Sequence, residues 1–294
     1  MSVTTLAWGL VPIVIKLTDL PGLTFAIYRL WLGVGVYLAA LLVTRRRLTW
    51  GFLRLSALGG VFFAADISLA FNAFKLTSIA NAMIIGALSP VLITMAAARW
   101  FGERIGRREA VLAGLSLAGV VVVAVGSAGT AARSPLGDGL AALSTISWTA
   151  YWLYSKRTRA RVPALEYMAS VMIVGAIVLT PVVLLSGQSP APPQGQDWFW
   201  LILVVLVPGS MGHLLVAWSH RHVEAWLSAL ITQSIQVVGA VAAWLVLDEP
   251  LTPLVVAGGA AVLTATGLIV VSSARRSRAA EAELAGLRTV VERT

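Results

Sequence analysis

The hydrophobic pattern along the chain consists of long apolar stretches that are separated by short polar, Gly-rich or Pro-rich gaps. An α-helix that crosses about 30 Å of bilayer hydrocarbon needs about 20 mostly apolar residues. Ten segments approach or reach this length, at 3–17, 22–44, 52–74, 78–101, 108–128, 136–155, 163–186, 198–217, 224–247 and 251–273. The pattern therefore predicts an all-α integral membrane protein with ten transmembrane helices.

Local features of the sequence support these segments. No charged residue occurs in residues 167–196, 225–247 or 251–274. Thr252 followed by Pro253 is typical of a helix start, because threonine caps free N–H groups and proline is tolerated at the first helical position. The segment at 3–17 is short for a span but lacks the basic stretch and the cleavage site of a signal peptide, so we expect it to be the first helix of a bundle.

The composition places the chain in a membrane. Hydrophobic residues make up 58% of the 294 residues and charged residues only 12%, whereas soluble domains carry roughly a quarter charged residues. A soluble enzyme, a disordered chain and a coiled coil are excluded, because each needs more charge than this chain has. Cysteine is absent, so we expect no thiolate metal site and no cofactor.

The net charge of +9 is distributed in a way that predicts topology. With a cytoplasmic N-terminus, eighteen Lys and Arg residues fall in the loops and tail on the cytoplasmic side. The opposite loops carry only Lys16, Lys75 and Arg133. This excess is typical of the positive-inside rule. It predicts a multi-pass protein of a bacterial-type inner membrane, with both termini cytoplasmic and the lipid bilayer, not nucleic acid, as its surroundings.

The two halves of the chain show a weak internal repeat. Trp8 and Lys16 are eight residues apart, and Trp148 and Lys156 repeat that spacing. At an offset of 146, residues 90–103 correspond to residues 236–249, and each segment ends in a Glu. Because each half has five helices, the second half enters the membrane from the opposite side, as in the inverted repeats of many transporters.

The repeat predicts domain boundaries and a packing contact. The first five-helix repeat covers residues 1–130, the second covers 134–274, and a charged cytoplasmic tail covers 275–294. The fifth helix of each half carries small residues at four-residue spacing, which favours close helix packing. These two stripes are Ala110-Gly114-Ala118 and Ala257-Ala261-Ala265.

Several short motifs, in order along the chain, resemble one known family. They are Trp8-Gly9 with Lys16, Pro21 and Tyr28-Arg29, then residues 73–78, Leu88-Ser89-Pro90, residues 101–104, and residues 247–252. Together they resemble the EamA-type branch of the drug/metabolite transporter superfamily. The resemblance implies a ten-helix transporter that moves small polar or amphipathic metabolites, often outward, without an ATPase domain. Where the family's second repeat has Glu-Pro, this chain has Ile235-Gln236.

Two formal charges lie well inside predicted spans, where polar groups are expensive. Asp66 in the third helix is a candidate to bind a substrate ammonium or to carry a coupling proton. The alternative is a fixed ion pair with Arg29, which lies at a similar depth in the second helix. His213 in the eighth helix falls one residue from the repeat counterpart of Asp66, and we expect the two to face one cavity. A neutral structural histidine is the alternative.

Helix breakers and polar faces complete the candidate site. We expect Pro208-Gly209 to break the eighth helix near the midplane and expose backbone carbonyls, and Pro90 to kink the fourth helix. The ninth helix has a small, polar face that looks inward, toward a cavity or toward neighbouring helices. This face comprises Ser228, Thr232, Gln236, Gly239 and Ala243.

Aromatic residues form a strip on the sixth helix. Trp148 and Tyr151 lie on one face together with Ser144 and Ser155, and Trp8 is the first-helix counterpart of Trp148. These rings are candidates to stack on a substrate. Anchoring at the membrane interface is the alternative.

The sequence thus predicts a secondary active transporter, not an enzyme. It exports small metabolites such as amino acids or amphipathic compounds by alternating access around a central cavity, with a proton as the candidate coupling ion, as a monomer or a homodimer. An uncoupled facilitator of the same fold is the first alternative. A membrane-embedded enzyme or non-transporting subunit is the second.

Overall fold

A computed structural model of the chain describes residues 2–89, 91–93, 95–96, 106–126, 134–215 and 225–291. Ten helices lie in these ranges, and the ranges contain no strand. The helices of the first half are α1 (Ser2–Leu17), α2 (Gly22–Val43), α3 (Trp50–Leu76), α4 (Ile79–Gly86) and α5 (Arg107–Gly126). Those of the second half are α6 (Pro135–Thr158), α7 (Ala164–Leu185), α8 (Gln196–Leu215), α9 (Ala225–Leu247) and α10 (Pro253–Val291).

Most helices begin close to the predicted positions, because local sequence signals set their starts. The fourth helix differs at its end: helix was predicted over 78–101, but α4 ends at Gly86 and residues 87–88 form a turn. Four N-caps use a Ser or Thr side chain that accepts a hydrogen bond from a backbone N–H two or three residues later. These caps are Thr49, Ser78, Ser134 and Thr252. The predicted start of the last helix at Thr252-Pro253 is therefore confirmed.

The last helix is longer than predicted. We expected a separate tail from residue 275, but α10 continues without interruption to Val291. No Gly or Pro separates the apolar part from the charged part between residues 268 and 285. Since Ala, Arg, Glu and Leu are good helix formers, nothing in the chain stops the helix at the expected boundary.

Four helices are long and apolar enough, by length and composition, to cross a membrane: α2, α3, α7 and α8. Shorter apolar helices lie within α1, α5, α9 and α10. Their surfaces carry exposed large apolar side chains, as expected of lipid-facing helices. Examples are Val43, Leu184, Leu185, Val121 and Leu245.

The helices of the two halves interdigitate with two-fold pseudosymmetry. α3 packs against α6 and α7, and its repeat counterpart α8 packs against α1 and α2. The contact of α1 with α9 corresponds to that of α6 with α4. The pseudosymmetry also relates the two members of three contacting helix pairs to each other: α2 with α7, α4 with α9 and α5 with α10. Because five helices reverse the chain direction, this arrangement is that of two inverted five-helix repeats.

The fifth helices of the repeats pack on one another, but α5 does not use its predicted stripe, and of the α10 stripe only Ala265 is buried. A Cβ on Gly258 would lie 2.7 Å from the Gly119 carbonyl oxygen, so the two backbones meet at this point. Ala110, Gly114 and Ala118 are exposed instead. Small residues occur on several faces of α5, and spacing alone did not indicate which face would meet α10.

We call the two ends of the bundle the outer end and the inner end, after the predicted topology. The outer end carries the C-terminal ends of α1 and α3, with Lys16 and Lys75. The inner end carries the C-terminal ends of α2 and α6, with Arg46 and Lys156.

Candidate substrate site

Arg29 of α2 lies inside the helix bundle and is 6% exposed. Its guanidinium carbon lies 5.5 Å from the centre of the Phe63 ring and 5.8 Å from that of Phe71, within the range of cation–π interactions. Nη2 lies 3.3 Å from Nε2 of His213. Nε and Nη1 are buried and have no hydrogen-bond partner in the described residues. Within the described part of the chain, this buried guanidinium therefore has two donors without a partner.

His213 of α8 lies in an aromatic box and is 8% exposed. Its ring centre is 4.7 Å from that of Trp8 and 5.1 Å from that of Phe63, and Trp148 follows at 6.3 Å. The contact with Arg29 requires that Nε2 accept, since a guanidinium only donates. This contact fits a neutral ring that orients Arg29, which is one of the two alternatives that the sequence left open.

Asp66 of α3 is half-buried, and its Oδ1 accepts a hydrogen bond of 2.6 Å from the Ser144 hydroxyl of α6. The ion pairs found among the described residues are Lys16–Glu249 and Arg46–Glu166. The fixed Arg29–Asp66 ion pair, one of the two alternatives at the sequence level, is therefore not formed in this structure. Asp66 is close enough to interact electrostatically with Arg29 without touching it.

The predicted aromatic strip faces the same interior. Trp8 and Trp148, the repeat counterparts, meet edge to face with ring centres 6.2 Å apart. Tyr151 is buried, with its ring centre 5.4 Å from Trp148 and 5.0 Å from Phe63. Both Trp residues lie in the middle of their helices, in contact with His213, which is not where interfacial anchors lie.

The predicted break at Pro208-Gly209 is wrong: α8 continues through this point as a π-helix over Val205–Gly212. Proline cannot donate to the preceding turn, and a wider turn accommodates the missing bond without ending the helix. Two carbonyls of this segment are available to side chains. That of Pro208 accepts from the Trp8 indole at 2.7 Å, and that of Ser210 accepts from the Tyr37 hydroxyl at 2.9 Å.

The polar face of α9 contacts neighbouring helices at its described positions. The Gln236 amide lies against Gly86 of α4, where a Cβ would be 3.4 Å from Oε1. This Oε1 is buried and has no hydrogen-bond partner among the residues that the structure describes. Gly239 lies against Met83 of α4 and the backbone of α1. The side chain of Thr232, and Pro90 with its predicted kink, lie outside the described residues.

Sequence reasoning missed the apolar part of this site. The residues it missed contact Arg29 or its neighbours: Phe63, Phe71 and Tyr37. A single aromatic residue in an apolar helix does not by itself indicate a binding site. A signal was present: Phe63 precedes Asp66 by three residues, and Tyr37 follows Arg29 by eight, spacings that place each pair on one helix face. Among the described residues, no group of His, Asp and Glu side chains is arranged to hold a metal ion.

Comparisons with known proteins agree with this architecture. One solved structure, titled only as the crystal structure of a protein, is 22% identical to this chain, with a TM-score of 0.67. The alignment covers 93% of this chain and 96% of that chain, and at this identity it shows the fold alone. No curated protein matches. The model of the EamA-like transporter family matches twice, over residues 1–125 and 135–271. The chain therefore belongs to the EamA-like transporter family, whose members are membrane transporters of the drug/metabolite transporter superfamily.

Proposed function

We propose that this protein is a secondary active transporter that exports small amphipathic metabolites, amino acids among them, by alternating access. The observation that carries this proposal is the buried Arg29 guanidinium with unused Nε and Nη1 donors. It lies where α2 of the first repeat meets α8 of the second. Inverted-repeat transporters bind their substrates at such an interface between repeats, near the midplane.

Unused donors on a buried cation favour a substrate with a carboxylate. Desolvating a charged group costs free energy unless it is paired, so an anionic group that reaches Nε or Nη1 gains a strong, charge-assisted hydrogen bond. His213 and the two Phe rings hold the guanidinium in place, which limits the entropy lost on binding.

Asp66 and the aromatic side chains supply the other two features of an amino-acid site. Asp66 is anchored through one oxygen by Ser144 and offers its carboxylate to an ammonium group. Trp8, Trp148 and Tyr151 present ring faces and edges to the same region, which suits an apolar or aromatic side chain.

The charge distribution and the family support the proposed location and direction of transport. The eighteen basic residues in loops and tail on one side support an inner-membrane protein with cytoplasmic termini. Export is the direction that the family resemblance favours. The domain boundaries at residues 130 and 134 are part of this proposal.

Ligand-induced stabilisation of the purified protein tests the proposed substrate class. A ligand that binds only the folded state raises the melting temperature with its occupancy. We expect L-phenylalanine to raise it, and phenylalaninamide and phenethylamine, which lack the carboxylate, to raise it much less. An equal shift with all three compounds, or none with any amino acid, nucleoside or polyamine in the same screen, would contradict the proposal.

The role of Asp66 is tested in proteoliposomes with the Asp66→Asn variant. If Asp66 binds the substrate ammonium, the variant loses both gradient-driven uptake and counterflow of labelled phenylalanine. If Asp66 carries a coupling proton instead, counterflow persists and only the response to a pH gradient is lost. Unchanged uptake with unchanged pH dependence removes Asp66 from the mechanism. A wild-type protein that shows counterflow without gradient-driven uptake is the uncoupled facilitator.

A further inference from the structure

A polar network closes the outer end of the bundle and joins the two repeats. Lys16, in the last turn of α1, forms an ion pair with Glu249, which follows α9 and lies 233 residues further along the chain. The Lys16 ammonium also donates to the Thr77 carbonyl at 3.1 Å. The second oxygen of Glu249 accepts from the Ile79 backbone N–H at 2.8 Å. One carboxylate thus holds α1 and the start of α4 to the second repeat.

A second contact closes the same end from the side of α6. The Thr77 hydroxyl donates to Asp138 Oδ1 at 2.6 Å. Next to it, a Cβ on Gly137 would lie 2.8 Å from the Cβ of Thr77, so the first turn of α6 lies directly on the loop between α3 and α4. The network therefore involves three helices of the first repeat and the ends of α6 and α9 of the second.

The network lies between the candidate substrate site and the outer surface. Lys16 follows Trp8 by eight residues of α1, which at 1.5 Å per residue is about 12 Å along the helix axis. Asp138 precedes Trp148 by ten residues of α6, or about 15 Å. A substrate that enters or leaves through the outer end must pass this layer.

We propose that the Lys16–Glu249 ion pair is the latch of an outer gate: it forms when the outer side is closed and breaks whenever the central site opens outward. The proposal rests on the proposed function only in requiring two access states. We call these two residues the outer latch.

The difference between the two ends supports a latch over a permanent brace. A permanent brace of this kind would recur at the inner end between the repeat counterparts of Lys16 and Glu249. The ion pair at the inner end, Arg46–Glu166, joins residues that are not these counterparts. Lys156, the repeat counterpart of Lys16, has an exposed side chain at the inner end, whereas the Lys16 side chain is 26% exposed and paired. The counterpart of Glu249, Glu103, lies outside the described residues. Alternating access requires that the two ends differ in this way in any one state.

The geometry of the latch also suits repeated opening. Lys16 keeps contact with solvent, so water can bind its ammonium as the pair separates, which lowers the cost of opening below that of a fully buried pair. Glu249 is 6% exposed and keeps its hydrogen bond from the Ile79 N–H at the positive end of α4. The carboxylate is therefore not left without a partner when Lys16 departs.

The natural absence of cysteine allows a direct test with a single introduced thiol. Ala141→Cys is a suitable probe, because Ala141 is 5% exposed and lies between Asp138 and Trp148 on one face of α6. A membrane-impermeant maleimide is applied to intact cells, and its rate of reaction with this gate thiol at position 141 reports opening of the outer end. This measurement needs no knowledge of the substrate, so it is independent of the transport assays.

We expect Lys16→Gln and Glu249→Gln to increase the labelling rate of the gate thiol by about ten-fold or more, since loss of the latch shifts the population toward the open state. The charge swap Lys16→Glu with Glu249→Lys is expected to restore slow labelling, because it rebuilds the pair in the opposite sense. Gln194→Cys, in the exposed loop before α8, should react at one rate in all backgrounds.

The matched control is the ion pair at the inner end, where Arg46 Nη1 lies 3.5 Å from Glu166 Oε2. Arg46→Gln removes one ion pair from the same protein but should leave the labelling of the gate thiol unchanged. Unchanged labelling in both latch variants would overturn the proposal. So would acceleration that the charge swap does not reverse, or that Arg46→Gln reproduces, since either result indicates general loosening of the bundle.

Discussion

Two buried charged groups in this protein differ in how completely they are bonded. At the outer end, Glu249 accepts from Lys16 with one oxygen and from the Ile79 N–H with the other. In the centre, Arg29 contacts His213 through Nη2, while its Nε and Nη1 have no partner in the described residues. Both groups lie between the two repeats. The same interface therefore contains one charged group whose two oxygens are bonded and another with two donors that have no partner in the described residues.

The difference separates the outer latch, a contact between helices, from a binding site. A buried charge with all its partners contributes to stability, because removing one partner leaves the other uncompensated. A buried charge with unused donors costs stability, and replacing it with a neutral group removes that cost. Neutralising the two groups should therefore have opposite effects on folding and on ligand binding.

Arg29→Gln is expected to give the largest effect on binding. Loss of a charge-assisted hydrogen bond to the substrate carboxylate should weaken binding of L-phenylalanine by roughly 100-fold, or about 3 kcal/mol. The melting temperature should stay the same or rise, because no buried charge remains unpaired. Ligand titration and thermal unfolding of the same purified variant measure both. Arg45→Gln, at an exposed position, is the control. A large fall in the melting temperature of Arg29→Gln with unchanged affinity would show that Arg29 stabilises the fold and does not bind the substrate.

Glu249→Gln is expected to have the largest effect on stability. The amide cannot pair with Lys16, and we expect a loss of about 2 kcal/mol, reduced from the value for a fully buried pair because Lys16 is partly exposed. Glu166→Gln is the matched variant, since its partner Arg46 is half-exposed at 52%, and its effect should be smaller. The melting temperatures in one detergent decide this. Equal losses would show that burial of the pair does not matter.

Ser144→Ala sharpens the comparison with a smaller change in the central site. Asp66 loses its hydroxyl donor at 2.6 Å, and a less constrained carboxylate should weaken binding of L-phenylalanine three- to ten-fold, or about 1 kcal/mol. Ser147→Ala on the same helix is the control, because that hydroxyl donates within α6, to the Leu143 carbonyl. Equal effects of the two variants would remove Ser144 from the site.

Much of the fold was predictable because membrane spans are local properties of a sequence. In the second, third, seventh and eighth helices, the apolar run by itself is long enough to cross a bilayer. Caps such as Thr252 set helix ends through bonds to residues three positions away. The small-residue stripe of α5 was predicted to pack closely but is exposed, because the face that packs depends on α10, a helix more than a hundred residues away.

The candidate site was predictable in its members but not in its bonds. Arg29, Asp66 and His213 stood out because ionisable groups are rare in apolar helices. The sequence placed Ser144 on the aromatic face of α6 but did not indicate that it bonds Asp66. Phe63 did not stand out, because it is one of many apolar residues. The π-helix at Pro208 likewise depends on side chains from α1 and α2 that bond its carbonyls.

By itself, the sequence determined the number of helices, the two repeats and the family, because apolar length, charge asymmetry and internal spacing are all written along one chain. Only the tertiary structure decided that Arg29 contacts His213 and not Asp66, and that Lys16 meets Glu249 from the other repeat. These contacts join residues 184 and 233 positions apart. The packing of the inverted repeats brings these residues together. No local feature of the sequence indicates which residues so far apart in the chain will meet.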